Sequence, residues 1–332
     1  MAFLDLMTQA WDLSNQSLYG MYQNLVLRDR DSIAYSERDL ATEIPLVLGW
    51  TFVITIFLYS LRNYILEPIG GWFLKTTKPV LRRRFADSAS ELIFYGAFTY
   101  MGYNIWITHH WVWPSAAWWD GHYIDEHLMR NDLRGLYLLD TARYLACLVS
   151  VRFLEHERKD KTEMTIHHIA TTIVTVIAYG TGHSRIGAIV KMIMDPADVP
   201  LHLAKACKYG GDHRKSKVLL FCADRFFELF AITFFVTRLI MFGYVMYSST
   251  VEGRIKCNWT PFQNFGLAQL YVLYALQVFW FSLIVKMAWR MASGKGVVDI
   301  RSDSEDSDYD GQQEKSKPIA RKKNSKAKSK KS

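Results

Sequence analysis

Phe265-Gly-Leu-Ala-Gln-Leu-Tyr-Val-Leu-Tyr-Ala-Leu-Gln-Val-Phe-Trp-Phe-Ser-Leu-Ile-Val285 contains no charged side chain. As a helix rising ~1.5 Å per residue it covers about 30 Å, the thickness of a bilayer's hydrocarbon core. No water reaches that layer to satisfy backbone N–H and C=O groups, so such a run has to be helical. Residues 44–61 are likewise uncharged. Half of the 332 residues are hydrophobic, 14% are aromatic and 22% are charged, with the charges gathered between the apolar runs. A soluble globule scatters its charges along helix faces instead. The composition excludes a cytosolic enzyme and a disulfide-stapled secreted module, and predicts an all-α polytopic membrane protein. Residues 1–43 carry Asp5, Asp12, Asp29, Asp31, Glu37, Asp39 and Glu43 and lack a basic start followed by an apolar stretch, so no cleavable signal peptide is expected.

Stretches of about 17–25 mostly apolar residues mark transmembrane helices. Seven occur, near 44–66, 90–110, 135–153, 165–182, 186–207, 218–247 and 264–290. The third to sixth contain Asp140, Arg143, His167, His168, Lys191, Asp195, Asp198, Asp224, Glu228 and Arg238. Those side chains are costly against lipid, so the four helices are expected to surround something polar. The loops 67–89, 154–164 and 208–217 are rich in lysine and arginine and all fall on one side, whereas 111–134 carries Asp120, Asp125, Glu126 and Asp132 on the other. The positive-inside rule then puts the N-terminus in the lumen and the C-terminus in the cytosol.

Two glycosylation acceptors, at Asn15 and Asn258, fall on the expected lumenal side. Of the four cysteines only Cys257 is expected to be lumenal, which argues against an internal disulfide. Residues 301–332 hold ten bases against six acids, a net +4 of the chain's +8, so the basic balance gives no argument for nucleic acid. This tail has almost nothing to bury and is expected to be disordered. Ser302 and Ser307 each have an acid three residues downstream, as an acidophilic serine kinase requires, and Lys328 and Lys330 fit a lysine-based retrieval signal for the endoplasmic reticulum. A solvated charged tail or a patch for lipid headgroups is the plainer alternative.

Chemistry concentrates in two helices. His167 and His168 open the fourth, ~5 Å inside the cytosolic face for His168. Adjacent helical residues point about 100° apart, so one imidazole faces a cavity while the other packs beside it. A histidine pair alone is weak, and His109-His110 is expected to be simple headgroup contact. The fifth helix places Asp195, Asp198 and His202 on one face, with Asp195 ~14 Å and Asp198 ~18 Å from the lumenal start. Asp195 needs the kink that Pro196 and Pro200 permit to reach the histidines' level. Two acids at ~2.5–3.5 kcal/mol each are hard to explain as packing. Lys191 or Arg238 can neutralise them as structural ion pairs; the functional alternative is a carboxylate orienting a histidine that acts as base or nucleophile. Iron chemistry requires several H-x-x-H-H or H-x-x-x-H boxes, which none of the ten histidines forms, and a single zinc on His167, His168 and an aspartate lacks a second pair at helical spacing. No metal is expected.

His167-His168-Ile-Ala-Thr, Met194-Asp195-Pro-Ala-Asp198 and Ala204-Lys205-Ala-Cys-Lys-Tyr209 together resemble the Lag motif of ceramide synthases, within the TLC (TRAM-Lag-CLN) domain. The resemblance covers about residues 80–290 and extends to Arg158-Lys159-Asp160, Thr237-Arg238-Leu239 and Arg83-Arg84-Phe85-Ala86-Asp87-Ser88 leading into Glu91-Leu-Ile-Phe-Tyr95. It implies a bundle of about seven helices around an apolar tunnel, and N-acylation of a sphingoid base by a fatty acyl-CoA co-substrate in the endoplasmic reticulum membrane, with no other cofactor. It divides the chain into a lumenal arm (1–43), a first transmembrane helix with a basic linker (44–79), the catalytic TLC domain (80–292) and a cytosolic tail (293–332). His167, His168, Asp195 and Asp198 become the catalytic set, and Arg238, Lys205, His202, Lys159 and Lys161 the substrate-binding one. A small single-span regulatory subunit, or a homo- or heterodimer, belongs to the same implication. Pro196 and Pro200 depart from the small or apolar residues expected there, and no homeobox-like insertion separates the first two helices. Two rival readings share the bundle: a non-enzymatic TLC-domain protein that serves the translocon, handles cargo or modulates lipid composition, and a proton-coupled transporter with the aspartates as a relay.

Overall fold

The computed structural model describes residues 32–34, 40–120, 128–154, 160–257 and 259–293. Helical rods stand at all seven expected places. The first runs as α1 (Leu40–Ser60), a π segment at Leu61–Leu66 and α2 (Glu67–Leu74). Next come α3 (Pro79–Thr108), α4 (Asn131–Val149) with a π segment at Ser150–Leu154, and α5 (Lys161–Gly180). The fifth rod is broken into α6 (Ser184–Met194), a 3-10 turn at Asp195–Ala197 and α7 (Asp198–Arg214). The sixth comprises α8 (Lys217–Phe234), a π segment at Phe235–Met241, α9 (Phe242–Thr250) and the short α10 (Glu252–Lys256); α11 (Pro261–Ala292) is the last. Among the described residues three rods are long and apolar enough to cross a membrane by length and composition: Leu40–Leu74, Lys217–Lys256 and Pro261–Met291. One feature escaped the sequence reading, a three-residue antiparallel pairing of β1 (Ser32–Ala34) with β2 (Leu128–Arg130), too short for alternation to signal.

Local chemistry sets the helix ends and breaks. Thr260 and Gln263 form a reciprocal capping box at the start of α11, with Pro261 at the first helical position, where its missing N–H costs nothing. Pro196 has no N–H to continue the ladder, and the Asp198 N–H closes a tighter turn onto the Asp195 carbonyl. The Met194 carbonyl is thereby released, and Arg238 donates to it from Nε (3.2 Å) and Nη2 (2.7 Å).

Polarity is inverted relative to a soluble globule. Phe52, Trp72, Ile255 and Trp289 are exposed, while Asp140, Arg143, Glu43 and Gln277 are almost completely buried. An apolar exterior around a charged interior is the arrangement hydrocarbon solvent selects. His109, expected at a headgroup surface, is instead buried: it receives the Trp111 indole N–H at Nδ1 (2.9 Å) and lies 3.2 Å from Asp132 through Nε2. None of the four cysteines forms a disulfide.

The first rod is latched at both ends. Arg134 and Tyr179 donate to the buried Glu43 carboxylate at 2.9 and 2.8 Å. Arg62, inside the π segment, donates to Ser90 (2.8 Å), Ser150 (3.0 Å) and Glu91 (2.6 Å). Replacing Arg62 with Met removes a counter-charge and three donors at once, and is expected to cost about 2–3 kcal/mol. Thermal unfolding of detergent-purified protein checks this: a midpoint lower by several degrees is expected, and an unchanged midpoint contradicts the latch.

Candidate active site

A cavity of about 230 Å³ lies between the rods. Its apolar wall includes Phe230, Phe234, Trp280, Ile284 and Met287, and its polar wall holds His167, His168, Asp195, Asp198 and Arg238. His202 and Lys205 line it too. Seven of the residues singled out in the sequence therefore meet in one chamber. Lys161, on the first turn of α5, is not part of the lining. Lys159, Asn15, Ser302 and Ser307 lie outside the described residues.

The imidazoles of His167 and His168 sit 5.5 Å apart, edge to face. Trp280 stands edge-on to His167 at 5.4 Å, and Tyr144 lies 5.9 Å from His168 and 6.4 Å from His167. His202, one turn beyond Asp198, stacks on Tyr95 at 5.6 Å. His167 Nδ1 is buried and has no hydrogen-bond partner among the described residues.

The carboxylates take guanidinium partners. Asp198 pairs with Arg238, and Asp195 lies 3.5 Å from Arg143. Arg143 also donates from Nε to Asp140 (3.1 Å), and Lys191 pairs with Asp140 from the opposite side while reaching Thr175 at 3.4 Å. Of the two cations the sequence suggested as neutralising partners, Arg238 takes Asp198 but Lys191 takes Asp140. Neither aspartate is hydrogen-bonded to an imidazole among the described residues, so the orienting role expected of them is exercised on arginines. The Arg143 guanidinium further lies over the Phe98, Tyr144 and Tyr95 rings at 4.4, 4.6 and 5.4 Å. Three cations and three anions are thus matched inside the bundle, which is what a low-dielectric interior demands.

Sequence reasoning left Arg143, Asp140, Tyr95 and Tyr144 outside the site. For Arg143 and Asp140 the signal was present as opposite charges three residues apart in an apolar helix. Tyr95 ends the Glu91-Leu-Ile-Phe-Tyr95 stretch of the resemblance but received no role from it, and Tyr144 carried no signal, since aromatic residues fill most of these helices. Among the described residues no three histidine, cysteine or acidic side chains gather as a metal-binding group.

An apolar-coated bundle enclosing matched charges and two adjacent imidazoles defines an all-α polytopic membrane protein with a buried reaction or binding chamber. Residues 84–286 match the model of the TLC domain, and the chain belongs to that family. It is 30% identical to human ceramide synthase 4 over 251 residues, 73% of this chain and 60% of that one. It is similar to ASC1-like protein 3 of rice (Oryza sativa subsp. japonica), at 30% identity over 67% of this chain and 78% of that one. Sphingosine N-acyltransferase lag1 of Schizosaccharomyces pombe is 25% identical over 78% of this chain and 67% of its own length. The chain thus spans about three fifths of the human synthase it matches.

Arg143 is the only ion-pair partner of Asp195 among the described residues. Arg143→Gln therefore leaves that acid buried without a counter-charge, and is expected to cost about 3–5 kcal/mol. Adding Asp195→Asn is expected to restore part of the loss. Unfolding midpoints of the two variants test the pairing, and a second substitution that adds its own independent loss contradicts it.

Proposed function

We propose that the chain is a ceramide synthase, joining the amine of a sphingoid long-chain base to the fatty acyl group of acyl-CoA to give (dihydro/phyto)ceramide and free CoA. The observation that carries this reading is the convergence of both histidines and both aspartates on one cavity that Phe230, Phe234, Trp280, Ile284 and Met287 also line. Membership of the TLC family and relatives named ceramide synthase and sphingosine N-acyltransferase support it.

The chemistry asks for a base in a dry place. A sphingoid amine is mostly protonated near neutral pH and attacks nothing until that proton is removed, a task suited to imidazole. In the proposed step an imidazole of the His167–His168 pair takes the proton, the amine nitrogen bonds to the thioester carbonyl carbon, and the C–S bond breaks. That imidazole passes the first proton to solvent, takes a second from the nitrogen as it bonds to the carbonyl carbon, and gives it to the departing thiolate, so the amide nitrogen keeps one hydrogen and the imidazole ends as it began. Asp198 and Asp195 keep Arg238 and Arg143 neutralised, so the site remains polar at its neck without an uncompensated charge. The apolar wall receives the hydrocarbon chains.

The setting proposed is the endoplasmic reticulum membrane, crossed seven times, with the N-terminus lumenal and the C-terminus cytosolic. Lys205, Lys159 and Lys161 would face the phosphates of CoA on the cytosolic side, and His202 the substrate. Glycosylation at Asn15, phosphorylation at Ser302 and Ser307, and a single-span regulatory subunit or a dimer complete the proposal; no cofactor besides the acyl-CoA co-substrate is invoked.

Purified chain in liposomes, given sphinganine and a series of acyl-CoAs, is expected to form N-acyl products detectable by mass spectrometry. His168→Ala combined with Asp198→Asn is expected to lower the rate by at least ~10²–10⁴-fold, the usual worth of an acid–base group. Undiminished product from that variant sinks the assignment, and a wild-type chain that makes no amide favours a non-enzymatic member of the family.

A further inference from the structure

We propose that Gln277 and Trp280, on the last helix, are the donors that hold the oxyanion formed during acyl transfer. The inference rests on the acyltransferase reading and deepens it by assigning a role to residues from a helix that the sequence marks only as apolar. Both line the cavity, and they stand three residues apart on one face of α11. Gln277 is fully buried and Trp280 nearly so. The Gln277 Nε2 and Trp280 Nε1 atoms are buried and have no hydrogen-bond partner among the described residues. Leaving a buried donor unbonded is costly, and two of them beside one cavity call for an acceptor the protein does not supply.

The amide orientation follows from chemistry. Arg238 Nη1 faces the Gln277 side chain at 3.4 Å, and a guanidinium has only donors, so the amide oxygen must be the atom turned toward it. The amide NH2 is left over for the cavity, and a cation at the other end of the amide makes it a stronger donor. Arg238 itself is committed, with Nε and Nη2 on the Met194 carbonyl and Nη2 on Asp198, so it acts on a substrate through Gln277. The indole of Trp280 stands 5.4 Å from the His167 ring, which places the donors beside the imidazole pair.

A thioester carbonyl is the acceptor that fits. When the amine nitrogen bonds to the carbonyl carbon, the C=O π pair moves onto oxygen and an alkoxide forms. The two N–H groups hold that charge. The pair then returns to re-form C=O, the C–S bond breaks, and the thiolate leaves with the proton carried by the imidazole. The donors are closed off from water in the substrate-free protein, so the side chains must yield for the oxygen, as catalytic hydrogen bonds commonly tighten only in the complex.

Trp280→Phe keeps the ring and removes the N–H; Gln277→Met keeps the length and removes the amide. With the full chain in liposomes, each is expected to lower kcat by about 10²–10³-fold, as loss of one oxyanion donor does, with KM for acyl-CoA and for sphinganine nearly unchanged. A kcat equal to that of the wild type, or a loss confined to KM, overturns the proposal while leaving the acyltransferase reading intact. A wild-type chain that makes no amide overturns both. Where a variant fails to fold, the wild type decides by infrared spectroscopy with a 2-oxoalkyl-CoA, whose ketone stands in for the thioester. A carbonyl band below its frequency in water supports the donors, and a band at or above that frequency overturns them.

Discussion

The structure depends on pairing buried acids with buried arginines where water is absent. Asp198 with Arg238 and Asp195 with Arg143 bring together the third, fifth and sixth rods, and Lys191 closes the remaining charge on Asp140. An isolated ion in such an interior carries a penalty of several kcal/mol, and a matched set removes most of it. That requirement explains features that look like irregularities. The 3-10 turn at Asp195–Ala197 frees the Met194 carbonyl, and Arg238, carried by a π segment, fills it. Arg62 also sits in a π segment and meets its own acids there. Turns widened or tightened away from the regular ladder aim guanidiniums inward.

With Asp195 and Asp198 paired to arginines, the imidazoles line the chamber beside aromatic rings. His167 and His168, two turns into α5, lie beside Tyr144 and Trp280, so polar and apolar surfaces adjoin in one chamber.

Much of this was readable from side-chain chemistry alone. Apolar runs located the rods, because hydrocarbon leaves the backbone no choice but helix, while several rods extend seven to eleven residues beyond the runs. Charged residues in the third to sixth rods announced a polar interior, and Pro196 announced the break beside Asp195. Partner choice was not readable. Whether Asp195 meets Lys191 or Arg143 depends on helix rotation and crossing, which one-dimensional spacing does not encode, and the nearer lysine in sequence belongs to another acid. Gln277 and Trp280 stayed hidden inside a run whose composition signals lipid contact, although one face of it lines the cavity. His109 was placed at a surface because adjacent histidines at a helix end suggest one; its tie to Trp111 and Asp132 needs the loop that follows.

The most direct test of the charge-matched interior is a double-mutant cycle at Asp198 and Arg238, with Asp198→Asn, Arg238→Gln and both together, read as unfolding free energy in detergent. The account predicts that each single substitution costs several kcal/mol and that the double variant costs far less than their sum, a coupling of about 2–3 kcal/mol. Single losses that simply add, with coupling near zero, would contradict it.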